Sequence, residues 1–325
     1  MLGAHGPISR SAPFLKILRM RSGSRFSVAL GRFAAALMCL VWLHGHLHEA
    51  QATEKPLQVA QPTAGDLSNG ARPKLRVCAD PNNLPFSNRA EEGFENRLAE
   101  LVAAELGRTV AYTWWPQRRG FVRNTLGAGT CDLVLGVPAG FELLETTRPY
   151  YRSSYVFVTR AADELALASL DDPALRRLRI GLHVIGDDGG NVPPAQALAR
   201  RGIVENVRGY SIYGDYSKPN PPLELLDALA TGEIDIAIAW GPRAGYFARG
   251  ARVPLSVTVI SGSNDESLPT QFEISMGVRR GDEELKAQLE RILDTRASAI
   301  EQVLADHGVP LLPLEQREQR AHGSN

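Results

Sequence analysis

Lys74-Leu75-Arg76-Val77-Cys78-Ala79-Asp80-Pro81-Asn82-Asn83-Leu84-Pro85-Phe86 is an apolar run stopped by a cluster of turn formers. Leu75 to Ala79 has the length and apolar content of a short strand, and the Asp, Pro and Asn residues after it end that strand abruptly. Leu98, Leu101, Val102 and Leu106 then recur at helical spacing, with Gly107 closing the helix as a C-terminal cap. The alternation continues as a strand over 110–114, a helix through Val122 and Leu126, and a buried strand over 132–136. A β-α-β-α-β order predicts a mostly parallel sheet covered by helices.

Beyond a loop at 141–148, residues 155–159 read as a further strand, and the polar segment 161–173 separates it from a second β-α-β unit. That unit has strands at 179–182 and 234–239, with helices through 195–199 and 223–229. Two more strands follow, over 255–260 and 272–278. The last helical region starts after Asp282, an N-cap candidate with Glu283 and Glu284 in the positively polarised first turn. Leu285, Leu289, Ile292, Ile300, Val303 and Leu304 form its apolar stripe, and His307-Gly308-Val309-Pro310 ends it. No repeat of solenoid period is visible.

With 325 residues the chain is long enough for one large or two moderate domains. Lys plus Arg equal Asp plus Glu at 36 each, so nothing in the charge balance supports nucleic acid or an anionic membrane surface as a partner. At the N-terminus, Lys16, Arg19, Arg21, Arg25 and Arg32 lead into the apolar run 33–43 and then Ala50-Gln51-Ala52, the order of a secretory signal cleaved after Ala52. Translation from Met20 instead of Met1 would leave the mature chain unchanged. The apolar run is too short to span a bilayer, and no later stretch is suited to anchor the chain, so a soluble periplasmic protein is expected. Cys39 follows Met38 inside the apolar run, which argues against a lipoprotein. The same signal takes in His44, His46 and His48, leaving them no role. Residues 53–73 are rich in Ala, Gln, Pro, Gly and Ser and predict a disordered leader.

Two cysteines are left, Cys78 and Cys131, in a compartment where disulfides persist. Two readings stay open: a bridge, or two buried free thiols on neighbouring strands.

Leu75-Arg76-Val77 followed by Pro85-Phe86, Gly129-Thr130-Cys131-Asp132-Leu133-Val134, Pro149-Tyr150-Tyr151, Gly232-Glu233-Ile234-Asp235 and His307-Gly308-Val309-Pro310 together resemble type II periplasmic solute-binding proteins. The likeness runs from Lys74 to Pro313. It implies an α/β fold of two Rossmann-like lobes joined by a hinge that the chain crosses twice, near Arg160 and near Tyr246. The organisation it gives is 1–52 signal peptide, 53–73 leader, 74–160 with 246–313 as one lobe, 161–245 as the other, and 314–325 as a flexible tail. Ligand would lie between the lobes, at the carboxyl ends of the strands.

A narrower resemblance lies in Cys78 through Asn88, Trp114-Trp115-Pro116-Gln117-Arg118-Arg119-Gly120-Phe121 and Thr146-Thr147-Arg148-Pro149-Tyr150-Tyr151. These strings are similar to the quinoprotein dehydrogenase-associated subgroup, the XoxJ and MoxJ (MxaJ) type proteins of methanol oxidation systems. The resemblance implies a periplasmic accessory that helps activate or mature a pyrroloquinoline quinone (PQQ)-dependent methanol dehydrogenase. PQQ and the lanthanide or calcium ion would belong to that partner, with its cytochrome c as a second candidate partner and no cofactor bound by this chain. The alternative is the solute-binding protein of an ABC transporter for a small non-amino-acid ligand.

Amino acid receptors of this type need an arginine for the carboxylate and an acid for the ammonium, because both charges leave water on binding. They place the arginine after the strand matching 132–136 and the acid at the end of the strand matching 234–239. This chain has Gly140-Phe141-Glu142-Leu143-Leu144 at the first place and Trp240-Gly241 at the second, so both clamps are missing. The candidate cleft residues are Asn82, Asn83, Phe86, Trp114, Trp115, Gln117, Arg118, Arg119, Arg148, Tyr150, Tyr151, Trp240 and Arg243. Arg and large aromatics are the residue types enriched at binding hot spots, which suits a protein segment or a large, planar anion such as the quinone. Competing roles are core packing for Trp114 and Tyr151, solvated charge for Arg118 and Arg119, and turn shaping for Asn82 and Asn83.

No enzyme is expected. Outside the signal the histidines are His183, His307 and His322, with no serine or cysteine arrangement that suggests an activated nucleophile. Asp187-Asp188-Gly189-Gly190-Asn191 lacks the alternating acids and closing glutamate of a calcium loop, so no metal site is expected there. Dehydratase-like enzymes do occur on this fold, an analogy that alone supports catalysis.

Overall fold

Apolar residues alternate along Lys74–Ala79 (β1), with Leu75 and Val77 facing one core and Cys78 another, so this strand is buried on both faces. A computed structural model describes residues 73–185, 191–213, 215–261 and 268–314. The signal peptide, the leader up to residue 72, the 187–190 part of the Asp-Gly turn and the tail beyond Leu314 lie outside the described residues.

After β1 come the short pair Asn82–Asn83 (β2) and Ser87–Asn88 (β3), then Phe94–Glu105 (α1), Thr109–Trp114 (β4), Phe121–Asn124 (α2), Leu133–Pro138 (β5), Glu145–Thr146 (β6) and Tyr151–Arg160 (β7). α1 ends where the sequence indicates: Gly107 takes the left-handed conformation, φ 66°, that lets the chain turn back. The expected helix through Val122 and Leu126 is a single turn, α2, and Leu126 falls beyond it in a turn where it is fully buried. Cys78 and Cys131 are bonded, with Cα atoms 5.5 Å apart, and tie β1 to the loop before β5.

The second half runs Ile180–Val184 (β8), Pro193–Arg200 (α3), Val207–Ser211 (β9), Glu224–Ala230 (α4), Ile236–Trp240 (β10), Gly241–Arg249 (α5) and Leu255–Val259 (β11). Gln271–Val278 (β12), Glu283–Thr295 (α6) and Ala297–Asp306 (α7) complete it. β9 and α5 are additions to the elements expected from periodicity. The Asp282 side chain accepts from the Leu285 N–H and caps α6.

Strand order is β4-β1-β5-β12-β7-β10-β8-β9, with β6 beside β12 and β11 beside β7. β1 runs parallel to β4 and β5, and β8 parallel to β9 and β10, which gives each half its parallel core. In the first half, α1, α6 and α7 cover one face of the sheet and the disulfide, Phe121 and Leu126 fill the other. In the second, β10 sends Ile236 and Ile238 to the α3 side and Ala237 and Ala239 to the α4–α5 side, as a period of two requires.

β7 belongs to both halves. Its residues Tyr151 to Ser154 pair with β12, while Tyr155 to Arg160 pair with β10 and β11. Pairing therefore changes sheets between Ser154 and Tyr155 rather than near Arg160. The return falls between β11 and β12, and not near Tyr246, because α5 packs its Ala244 and Phe247 into the second half's core. Among the described residues, no helix is long and apolar enough to cross a membrane.

Candidate functional site

The C-terminal ends of β1 and β10 face each other across the change of sheets and border a half-open cavity of about 590 Å³. Asp80, Asn82, Asn83 and Gln117 line it from the first half, and Ile212, Tyr213, Tyr216, Pro222 and Arg243 from the second. Tyr155, Trp240 and Phe272 form its aromatic floor, with ring centroids 5.4 to 6.4 Å apart. The size is that of a small-molecule site.

Turn chemistry after β1 builds the first wall. Buried Asp80 accepts from the backbone N–H of Asn82 (2.8 Å) and Gln117 (2.6 Å) and from the Tyr216 hydroxyl (2.6 Å). The bond to a carboxylate, together with burial, raises the Tyr216 hydroxyl pKa above its ordinary value, burial being the larger cause. Asn82 donates to the Lys218 carbonyl (2.8 Å) and accepts from the Asn220 N–H (3.2 Å), so the 212–220 segment of the second half is held against the first. Arg118 lies over the rings of Tyr213 and Tyr216, at 5.6 and 4.6 Å, and reinforces that contact.

Arg243 sits one turn into α5 and is 5% exposed. Its Nη2 donates to Asn83 Oδ1 (3.0 Å), and its guanidinium lies 5.4 Å from the Phe86 ring centre. Asn83 in turn donates to Gln117 Oε1 (2.9 Å). Burial lowers the Arg243 pKa to about 10, the Asp80 charge opposing that shift, and the group stays cationic at neutral pH. Close packing fixes the helix that carries it: a Cβ at position 245 would collide with the Gly308 carbonyl, so only glycine lets α5 approach there. His183, behind this wall, donates from Nε2 to the Pro222 carbonyl (3.0 Å). Burial, followed by the Arg243 charge, holds its imidazole down at about 3, so it is neutral.

Six of the thirteen candidates thus meet at this cavity or support it directly: Asn82, Asn83, Gln117, Trp240 and Arg243 line it, and Phe86 lies beneath Arg243. Arg118 and Arg119 line an adjoining groove with Phe141 and Tyr213. Trp114 stacks on Tyr112 at 4.5 Å on the outer strand, and Trp115 is 42% exposed beside it. Arg148, Tyr150 and Tyr151 lie elsewhere, in a depression formed with α6, α7 and Leu311 to Leu314. Arg148 pairs with Glu290 and Asp294 of α6, and Tyr151 is buried against Phe94. Sequence reasoning missed Asp80, Tyr155, Tyr213, Tyr216 and Phe272. Among the described residues, no group of three or more His, Cys, Asp or Glu could hold a metal ion.

No family model matches the chain. It is 31% identical to Protein MoxJ of Methylorubrum extorquens AM1 over 305 residues, which cover 89% of this chain and 97% of that protein. It is also 31% identical to Protein MoxJ of Paracoccus denitrificans over 273 residues, 79% of this chain and 94% of the relative. Among solved structures, the periplasmic binding protein XoxJ from Methylobacterium extorquens AM1 superposes with a TM-score of 0.61 at 38% identity, covering 74% of this chain and all of that one.

Proposed function

The chain belongs to the MoxJ family and has the periplasmic binding protein fold, and on that premise we propose that it is a periplasmic accessory of a methanol oxidation system. In this reading it engages a PQQ-dependent, lanthanide- or calcium-dependent dehydrogenase and assists its activation or maturation, without chemistry of its own. The observation that carries the proposal is a family likeness that extends across both halves of the fold. Exposed Trp115 with Arg118 and Arg119 on one lip supplies residue types that anchor protein partners. The cavity favours a second reading, a receptor for a small solute that is not an amino acid.

The test is retention of partners by the mature protein from the periplasm of its source organism grown on methanol, with mass spectrometry of what is held. A quinoprotein dehydrogenase retained by the folded protein, and lost with Trp115→Ala or Arg119→Ala, is the expected result. Nothing retained, together with a small molecule that survives purification, would transfer the assignment to solute transport.

A further inference from the structure

We propose that the cavity between the halves is a binding site for a small organic carboxylate on a flat, apolar body, with Arg243 as its charge partner. A guanidinium has five N–H donors and is stable out of water only when they are satisfied. In Arg243, Nη2 reaches Asn83, but Nε and Nη1 are buried without a hydrogen-bond partner among the described residues. The side chain is 5% exposed and lines the cavity, so that space is where an acceptor for it would enter.

The nearby acid does not serve. Asp80 already accepts from two backbone N–H groups and a tyrosine hydroxyl. Three of the roughly four acceptor positions of its carboxylate are therefore taken up in shaping the wall. The cavity presents one cation with unused donors, which selects an anion over a zwitterion or a cation. The body of the ligand is set by Tyr155, Trp240 and Phe272, whose rings form a continuous apolar surface beside the guanidinium.

This inference is independent of the dehydrogenase partnership, and its test uses this chain alone. Calorimetric titration and thermal unfolding of the purified mature protein would compare benzoate with benzamide and benzylamine, which keep the ring and change the charge, and with acetate, which keeps the charge and drops the ring. The expected result is saturable stabilisation by benzoate at up to about 10 mM, weaker binding of acetate, and none by the neutral or cationic rings. Arg243→Met should lose at least about tenfold in benzoate affinity. Its melting temperature without ligand should equal or exceed that of the parent, since a buried charge with open donors has been removed. Arg243→Lys should recover part of the binding. Absence of saturable binding by both anions, equal binding of benzamide, or an Arg243→Met protein that binds benzoate unchanged would overturn the proposal. So would an Arg243→Met chain that fails to fold, because the guanidinium would then be a strut.

Discussion

Glu95 on α1 lies beneath the cavity against Gly136, a residue with φ 69° whose missing Cβ leaves the room the carboxyl occupies. Burial first, and the Asp80 charge second, push this carboxyl from 4.5 up to about 8. Folding thus favours the protonated acid. The stability it contributes is complete below pH 4.5 and is lost as pH rises through about 8. Between about pH 5 and about pH 9 the loss integrates to about 4 kcal/mol, because each pH unit between the unfolded and folded pKa values removes about 1.4 kcal/mol. His183 runs the other way: its imidazole is held from 6.5 down to about 3, so its contribution is present above pH 6.5 and lost as pH falls through 3. Urea unfolding of the parent and of Glu95→Gln across that range separates the two, because His183 cancels in the difference. The parent should lose about 4 kcal/mol relative to the variant as pH rises. Parallel curves would mean that Glu95 is as easily ionised folded as unfolded, and would refute the reasoning.

Three further outcomes are expected. Replacing both Cys78 and Cys131 by alanine opens a loop closed over a separation of 53 residues. By chain entropy this should cost about 4 kcal/mol in urea unfolding, and reductant should have no further effect on the variant. Tyr216→Phe removes a 2.6 Å donor from the Asp80 carboxylate. It should cost about 2 kcal/mol and raise the radius of gyration in small-angle X-ray scattering, as the 212–220 segment loosens. Leu198→Ala empties a fully buried position in the second half's core. It should cost about 2 to 5 kcal/mol by the same unfolding assay.

The alternation of strands and helices was legible because each buried strand carries an unbroken apolar run. β9 was not: in Val207–Ser211 only Tyr210 is buried, so an outer strand leaves almost no apolar signature. α5 opens on Gly241 and Pro242, residues that signal a turn in sequence but serve here as the first helical positions after β10. The cleft residues were legible where they follow a strand end directly, as with Asn82, Asn83, Trp240 and Arg243. Tyr216 was not, since it comes from a turn-rich segment and meets Asp80 across 136 residues of chain. Arg148, Tyr150 and Tyr151 precede or begin β7 and were read as cleft residues, yet the N-terminal end of that strand abuts α6 and α7.

The change of sheets within β7 sets how the two halves can move. Ser154 and Tyr155 are consecutive, and the ladder on each side is hydrogen-bonded, with the Tyr155 N–H on Thr270 O at 2.8 Å and Ser154 Oγ on the same carbonyl at 3.2 Å. A rotation of one half against the other would therefore twist a strand that is paired on both sides of the change, as a torsion bar is twisted. The same pairing makes a poor cut site: a break here would part Tyr151 to Ser154, paired with β12, from Tyr155 to Arg160, which lie between β10 and β11.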